Sequence, residues 1–295
     1  MLVNGQTRVL GIFGDPVEHT LSPGMQNAVF EANHLNWIYL PFHVKPGELK
    51  KAVAGIKAFD MLGVNVTIPH KEKVVRHLDE VDGLANVIGA VNTIVNVEGR
   101  LIGYNTDGYG YVESLREETG FDAAGKNIVI LGAGGAGRAI LFTFLYNKKN
   151  AARSVVIANR TLRRAKRLVD EFKDKVGGAP LVAASLDKVD AHLAGADILI
   201  NATSVGMMGK GEVNVGLKEL PGHAIVSDIV YRPLETTLLK KAKARGLKIH
   251  GGLGMLAHQG ALSFELFTLT LFPRPPLPID IMKRAAIKAL GTDLQ

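Results

Sequence analysis

The sequence predicts an α/β protein of two domains. Three observations carry that expectation. Short apolar runs alternate with helix-like segments along all 295 residues. From about residue 126 the alternation tightens into regular strand–helix units. A glycine-rich turn, "GAGGAG", sits between one such strand and the helix that follows. Strands alternating with helices of about ten to fifteen residues imply a mostly parallel sheet covered on both faces. The length suits one large domain or two of ordinary size, with ample core.

In the first part of the chain the candidate strands are "RVLGIFG", "WIYLPFHV", "MLGVNVTI", "AVNTIVN" and "RLIGYN". The last two are joined through Glu98-Gly99, a plausible hairpin turn. Helical patterns lie between them, over 23–33 after Ser22-Pro23 and over 46–59 opening at Pro46. Proline suits the first helical turn because its missing N–H has no intrahelical partner there. The second part reads "KNIVILG", helix, "SVVIANR", helix, "APLVAA", helix, "ADILINA", then "AIVSDIV" and "LKIHG". The run "GMLAHQGALSFELFTLTLF" predicts a buried helix, ended by the proline-rich 273–278. A final amphipathic helix has Asp280 near its start.

Hydrophobic residues make up 47% and charged residues 21%, a globular balance rather than a disordered one. The absence of cysteine excludes disulfides, thiolate catalysis and cysteine-ligated metals; no metal site is expected. No basic-then-apolar leader pattern opens the sequence, and no apolar run reaches the ~18 residues of a membrane helix. A soluble, cytoplasmic protein is the expectation. The net charge of +7 raises the question of a nucleic-acid partner. However, the lysines and arginines are spread without interleaved aromatics. A basic field equally suits a small anionic substrate or a phosphate-rich cofactor.

"NIVILGAGGAGRAI" sets Gly132, Gly134 and Gly137 as G-x-G-x-x-G between strand and helix. The first glycine makes the tight turn, the second lets the backbone approach a pyrophosphate, and the third lets helix and strand pack closely. Pyrophosphate would rest on the helix start, so Gly132, Ala133, Gly134, Gly135, Ala136 and Gly137 are candidate cofactor residues. An NAD-binding second strand ends in an acid that holds the ribose hydroxyls and repels a 2′-phosphate. Here it ends in Asn159-Arg160-Thr161, followed by Arg163, Arg164, Lys166 and Arg167. Arginine at this place accommodates a 2′-phosphate. Thr161 is a candidate cap for the next helix. Asn159, Arg160, Thr161 and Arg164 are therefore read as a 2′-phosphate clamp and NADP as the cofactor, whereas Lys166 and Arg167 read as solvated charge.

Four polar segments stand in loops or at strand ends of the first 110 residues: "GDPVEHTLSPGMQNAVF" (14–30), "GVNVTIPHK" (63–71), "GAVNTI" (89–94) and "GYNTDGYG" (103–110). Together with the glycine turn, "NRTLRRA", "NATSVGM" (201–207), "DIVYRPLETTLL" (228–239) and "GLGMLAHQGALSFE" (252–265), they make the chain resemble the shikimate dehydrogenase family over nearly its whole length. The resemblance implies an N-terminal α/β substrate domain with a mixed sheet, residues 1–107 plus 251–295, the C-terminal helices packing back on it. It implies a Rossmann-type NADP-binding domain at 108–250, with a cleft between the domains. The implied reaction is reversible reduction of 3-dehydroshikimate to shikimate with NADPH, a step toward chorismate and the aromatic amino acids.

Hydride transfer to a ketone needs a proton donor for the developing alkoxide, and the reverse needs a base. Lys71 and Asp107 resemble the family's catalytic pair. Proton exchange near neutral pH then requires desolvation of the lysine or a relay through Asp107 and water. The resemblance further places Thr20 and Ser22 at the substrate carboxylate, Thr67, Lys71, Asn92 and Asp107 at the ring hydroxyls, and Tyr231 and Gln259 at the far side of the pocket. It places Thr203 and Ser204 on the cofactor, with Met207 and Gly254 flanking the nicotinamide. Several have a plainer alternative: a surface lysine for Lys71, though Lys73 suits that role better, a helix cap for Ser22 and Asp107, buried structural amides for Asn92 and Gln259, and packing for Tyr231 and Met207. Asn65 is read as a brace for its loop. The chain departs from the family pattern at Thr20, where serine is usual, at Gln26-Asn27, where His-Asn is usual, and at Phe267, where tryptophan is common.

The expected partner is the small-molecule substrate, with no nucleic acid and no membrane, and at most a second copy in a homodimer. The rival functions are a quinate/shikimate dehydrogenase preferring NAD and a non-catalytic nucleotide-sensing protein on the same fold. A quinate assay with each cofactor separates the first, and absent turnover despite tight NADP binding would favour the second.

Overall fold

The computed structural model describes residues 3–146, 152–173, 179–269, 271 and 275–291. The chain divides into two compact units, Met1–Thr106 with Ala257–Gln295, and Asp107–Leu256.

The first unit starts with β1 (Arg8–Gly14), whose burial deepens along the strand, as expected for a central position. Next come α1 (Ser22–Ala32), β2 (Trp37–His43), α2 (Leu49–Ala58) after a single 3-10 turn at Pro46–Glu48, and β3 (Gly63–Val66). Proline opens both helical stretches, as the sequence predicts. Two short elements escaped the sequence reading: β4 (Glu80–Val81) and α3 (Gly83–Ile88). Asp82 caps α3 by accepting from the Leu84 N–H at 3.0 Å. Then β5 (Thr93–Val97) and β6 (Arg100–Tyr104) form the expected hairpin. Glu98 and Gly99 both take positive φ, 52° and 84°, the turn geometry that matches the twist of paired strands. The Asn96 carboxamide accepts the Gly99 N–H at 2.8 Å and holds the turn.

The strand order is β2-β1-β3-β5-β6-β4. Neighbours are parallel except at β3–β5 and β5–β6, so the sheet is mixed. Its outer strands are β2, which contains Pro41 opposite Ile12, and the two-residue β4.

The second unit holds α4 (Asp107–Thr119), β7 (Asn127–Leu131), α5 (Gly135–Tyr146), β8 (Ser154–Asn159), α6 (Leu162–Phe172), β9 (Leu181–Ser185), β10 (Ile198–Asn201), β11 (Ile225–Asp228), α7 (Thr237–Ala244) and β12 (Lys248–His250). The helix expected after β9 is instead a 3-10 run, Leu186–His192. With β12-β11-β10-β7-β8-β9 as its order, the sheet is parallel throughout. This is the doubly wound arrangement of two mononucleotide-binding halves. Its strand order reverses between β7 and β10, and ligands of such sheets bind beyond the carboxyl ends of the strands at that point. β7, β8 and β10 are apolar on both faces, as strands covered by helices on both sides must be.

The chain returns to the first unit through α8 (Gly252–Phe267), and α9 (Ile279–Leu290) packs on α1. The C-terminal helices thus cover the mixed-sheet unit, with Phe264 stacked near Phe30. Asp280 falls in the first turn of α9, as expected. Part of the proline-rich 273–278 lies outside the described residues.

Candidate active site

The parallel-sheet unit carries the glycine turn at the end of β7. Gly132 has φ +111°, and a Cβ there would stand 2.9 Å from Thr203 Cγ2. A Cβ at Gly137 would stand 2.4 Å from the Gly132 carbonyl oxygen, so α5 packs against the turn it leaves. Gly134 faces open space, with nothing within 4 Å of an added Cβ. The first and third glycines are therefore required by packing, and the second leaves bare backbone for an approaching pyrophosphate. Ala133, Gly134, Gly135 and Ala136 are all partly exposed at the start of α5, where free N–H groups and the helix dipole favour an anion.

β8 ends in a neutral Asn159 whose amide turns back to donate to the Thr161 carbonyl at 3.0 Å. Arg160, Arg163 and Arg164 are exposed around the start of α6. Thr161 sits at the N-cap position, but its side chain makes no capping hydrogen bond, which corrects the expected cap. Its carbonyl instead takes the Asn159 amide and the Arg164 N–H, leaving the hydroxyl exposed. Arg167 is held by Glu171, Nε to Oε1 2.7 Å. The same carboxylate takes Arg138 at 2.6 Å. Burial works to raise the Glu171 pKa, yet the two arginines outweigh it and hold the carboxyl below its ordinary value. Lys166 is exposed. Arg167, read from the sequence as solvated charge, is thus paired locally with Glu171. A neutral strand end followed by exposed cations fits a 2′-phosphate and would not repel it.

At the strand-order reversal, the loop after β10 is organised by residues that sequence reasoning passed over. Asp228 is fully buried at the end of β11. It accepts from Asn201 Nδ2 at 3.0 Å, the Val230 N–H at 3.0 Å and the Thr236 hydroxyl at 2.7 Å. Burial raises its pKa, and these donors only partly offset the rise. Asn201 Oδ1 in turn accepts from the Thr203 N–H at 3.1 Å and the Thr203 hydroxyl at 2.7 Å, and Thr203 Oγ1 accepts the Val205 N–H at 3.1 Å. The Thr203 hydroxyl therefore braces its own loop, while Ser204 is exposed. Met207 is 39% exposed, which removes ordinary core packing as an account of it. The Met208 N–H donates to the Arg232 carbonyl at 2.6 Å, joining this loop to the segment that carries Tyr231. Burial raises the Tyr231 pKa against the opposing charge of Arg232. Asp228 and Asn201 each end an apolar strand with a polar group, and that break in pattern was the signal available in the sequence.

Asp107 is the first residue of α4 and is 2% exposed. A Cβ at the adjacent Gly108 would meet Thr143 Oγ1 at 2.1 Å and the Ala139 carbonyl at 2.5 Å, so α4 begins pressed against α5. Gly254 is equally confined, 2.1 Å from Ser114 Oγ and 2.2 Å from Glu118 Oε1 at an added Cβ.

The mixed-sheet unit gathers the remaining candidates at one end of its strands. Thr20 donates to the Ser22 hydroxyl at 3.3 Å, and the Ser22 N–H donates to Thr20 Oγ1 at 3.3 Å. Ser22 is not the cap of α1; Leu21 holds that position without a side-chain bond. Thr67 follows β3, its N–H bonded to the Phe13 carbonyl at 2.9 Å. Lys71 is partly buried, and its carbonyl accepts the Val91 N–H at 2.8 Å, tying its loop to the residue before Asn92. The preceding His70 is wholly buried and its Nε2 donates to the Val44 carbonyl at 2.6 Å, another anchor missed in the sequence. Asn92 and Gln259 meet, Nδ2 to Oε1 3.3 Å. Asn65 is indeed a brace, bonded to the Asn92 carbonyl, Thr93, Ser263 and Tyr39. Gln26 is buried and donates to the Gly260 carbonyl at 3.0 Å, so it joins α1 to α8. Phe267 is buried core.

A doubly wound parallel sheet, a glycine turn at its reversal point and cations after the second strand define a dinucleotide-binding α/β protein suited to NADP. Three family patterns match along the chain: the shikimate dehydrogenase substrate binding domain at residues 12–94, shikimate / quinate 5-dehydrogenase at 114–232, and the shikimate 5′-dehydrogenase C-terminal domain at 252–268. The chain is 49% identical to the shikimate dehydrogenase (NADP(+)) of Geobacillus kaustophilus, covering 96% of this chain and 99% of that one. A crystal structure of shikimate dehydrogenase in complex with NADP+ superposes with a TM-score of 0.86 at 42% identity, covering 98% of each chain. The Thermus thermophilus enzyme, in complex with NADP(H) and shikimate, gives 0.81 at 38% identity over 96% of this chain and 99% of that one. The chain belongs to the shikimate dehydrogenase family.

Proposed function

We propose that this chain is an NADP-dependent oxidoreductase that reversibly reduces 3-dehydroshikimate to shikimate. The observation that carries the reading is near-full-length identity of 49% to a shikimate dehydrogenase (NADP(+)). The neutral, cation-flanked end of β8 supports the same cofactor. NADPH, when bound, supplies the hydride. Pyrophosphate rests on the 132–137 backbone, and Asn159, Arg160, Thr161 and Arg164 hold the 2′-phosphate. The loop bearing Thr203, Ser204 and Met207, with Gly254, lines the nicotinamide side. The second unit is thus the cofactor domain and the first the substrate domain.

For the substrate, Thr20 and Ser22 bind the carboxylate through adjacent hydroxyls. Thr67, Asn92 and Asp107 bind the ring hydroxyls, and Tyr231 and Gln259 complete the pocket. The Lys71 ammonium donates a hydrogen bond to the reacting oxygen and stabilises the charge that develops there. Lys71 and Asp107 together handle the proton in each direction. The protein works in the cytoplasm, alone or as a homodimer.

Steady-state rates with shikimate and quinate, each with NADP and NAD, test this. Shikimate with NADP should be the preferred pair. Robust NAD-linked quinate oxidation would replace it with the quinate reading, which the shikimate / quinate pattern at 114–232 keeps in view. NADP binding without any turnover would indicate a sensor.

A further inference from the structure

Behind Asn92 and Gln259 lies a buried polar network that converges on one hydroxyl, that of Ser263 on α8. Ser263 is 0% exposed. Its Oγ lies 2.9 Å from Asn65 Nδ2, 2.8 Å from Thr93 Oγ1, 3.2 Å from Thr106 Oγ1 and 2.9 Å from the Gln259 carbonyl. These partners come from three of the polar segments identified in the sequence and from α8 itself.

Donor accounting gives the network a direction. The Thr106 backbone N–H, which can only donate, points at Asn92 Oδ1 at 2.9 Å. That fixes the amide: Oδ1 on the Thr106 N–H side, Nδ2 toward Thr106 Oγ1 at 2.8 Å and Gln259 Oε1 at 3.3 Å. Thr93 has one hydroxyl proton, which stands between Ser263 Oγ at 2.8 Å and Asn92 Oδ1 at 3.0 Å. Ser263 also has one proton, and the Gln259 carbonyl, which can only accept, takes it at 2.9 Å; Ser263 therefore accepts from Asn65 and Thr93, and the Thr106 hydroxyl gives the same Gln259 carbonyl a second bond at 3.0 Å. The chain runs Thr93 → Ser263 → Gln259 carbonyl, with Asn65 Nδ2 as a second donor to Ser263. It leaves the Asn92 amino group aimed at Gln259, and the 3.3 Å contact is the longest bond in the set and the one a ligand hydroxyl can replace.

We propose that Ser263 is a positioning residue for substrate, holding the seat of Gln259 beside the Asn92 amide so that a ring hydroxyl meets a preset donor and acceptor. This rests on the function proposed above. Such networks act as units, because each buried hydrogen bond depends on the next being made.

The test is steady-state kinetics and thermal unfolding of Ser263→Ala and Thr93→Val, which break the chain at successive links. Each should raise the shikimate KM roughly fivefold to tenfold, the factor expected for about one buried hydrogen bond, with kcat and the NADP KM little changed. The double variant should cost no more than the worse single one, since both cut one chain. Ile56→Val, a core change on α2, is the stability control. A shikimate KM that stays at the wild-type value would overturn the proposal. So would a rise matched by the control at equal loss of Tm, or fully additive effects. Should Ser263→Ala fail to fold, Thr93→Val alone decides on the same criteria. A wild-type protein that turns over no shikimate defeats the parent reading instead, and is recognised before any variant is made.

Discussion

The two units prepare for their ligands in opposite ways. In the mixed-sheet unit the polar groups of Asn65, Asn92, Thr93, Thr106 and Ser263 are buried and bonded to one another before any ligand arrives. In the parallel-sheet unit the groups assigned to the cofactor's phosphates are exposed arginines and the bare backbone at Gly134. Dry, mutually satisfied amides and hydroxyls discriminate by geometry, because a ligand that fails to replace a bond leaves a buried group unpaired. Exposed guanidinium groups attract by charge and adapt their rotamers, so they recognise a phosphate with less demand on position. The hydroxyl-bearing ring of a small substrate needs the first kind of site, whereas a 2′-phosphate is well served by the second.

That contrast is broken most severely at Lys71. Lys71→Ala should lower turnover by about 10²-fold or more if it supplies the proton, with the NADP KM unchanged. Turnover equal to wild type would remove Lys71 from the chemistry. Next in size is a place where the cofactor unit resembles the substrate unit, the buried Asp228. Asp228→Ala leaves Asn201, Thr236 and the Val230 N–H without their acceptor, and urea unfolding should show a loss of about 2–3 kcal/mol. A loss no larger than that of an exposed-site change would mean the loop after β10 holds itself.

Arg160→Ala should raise the NADP KM by about tenfold, the scale of one charge-assisted hydrogen bond, and barely move that for NAD. The effect should shrink in high salt, as exposed charge is screened; equal effects on both cofactors would make Arg160 structural. The smallest effect concerns pH. The folded-state pKa of Asp228 is raised by burial, so the folded protein binds this proton more tightly than the unfolded chain does. Its contribution therefore declines as pH rises through and above the ordinary carboxylate value of about 4. Wild-type stability should fall relative to Asp228→Asn over that rise, and parallel pH profiles for the two would refute the assignment.

Sequence made some parts of this protein legible and left others hidden, for physical reasons. β1, the Glu98–Gly99 hairpin and the glycine turn follow from local rules of apolar periodicity, turn chemistry and motif spacing, and all three stand where expected. β4 spans only two residues, and the 3-10 run at Leu186–His192 imitates a helical pattern, so periodicity could not resolve either. The side-chain network was out of reach because its bonds join distant residues: Asn65 to Ser263 spans 198 positions and Thr106 to Gln259 spans 153. Ser263 looks like an ordinary small residue in an apolar helix until those partners are brought together. Thr161 failed as a side-chain cap because the Arg164 N–H, which a capping hydroxyl would take, bonds to the Thr161 carbonyl instead.

The margins of the mixed sheet bear on how the protein behaves when crowded. A strand at a sheet's rim offers unpaired backbone groups to any extended segment that drifts past, which is how edge-to-edge aggregation begins. Here one rim is β2, where Pro41 lacks the N–H that a continuous ladder requires, and the other is β4, too short to template more than a residue or two. Both margins are poor seeds for further strands, a property that would help the protein stay dispersed at high concentration.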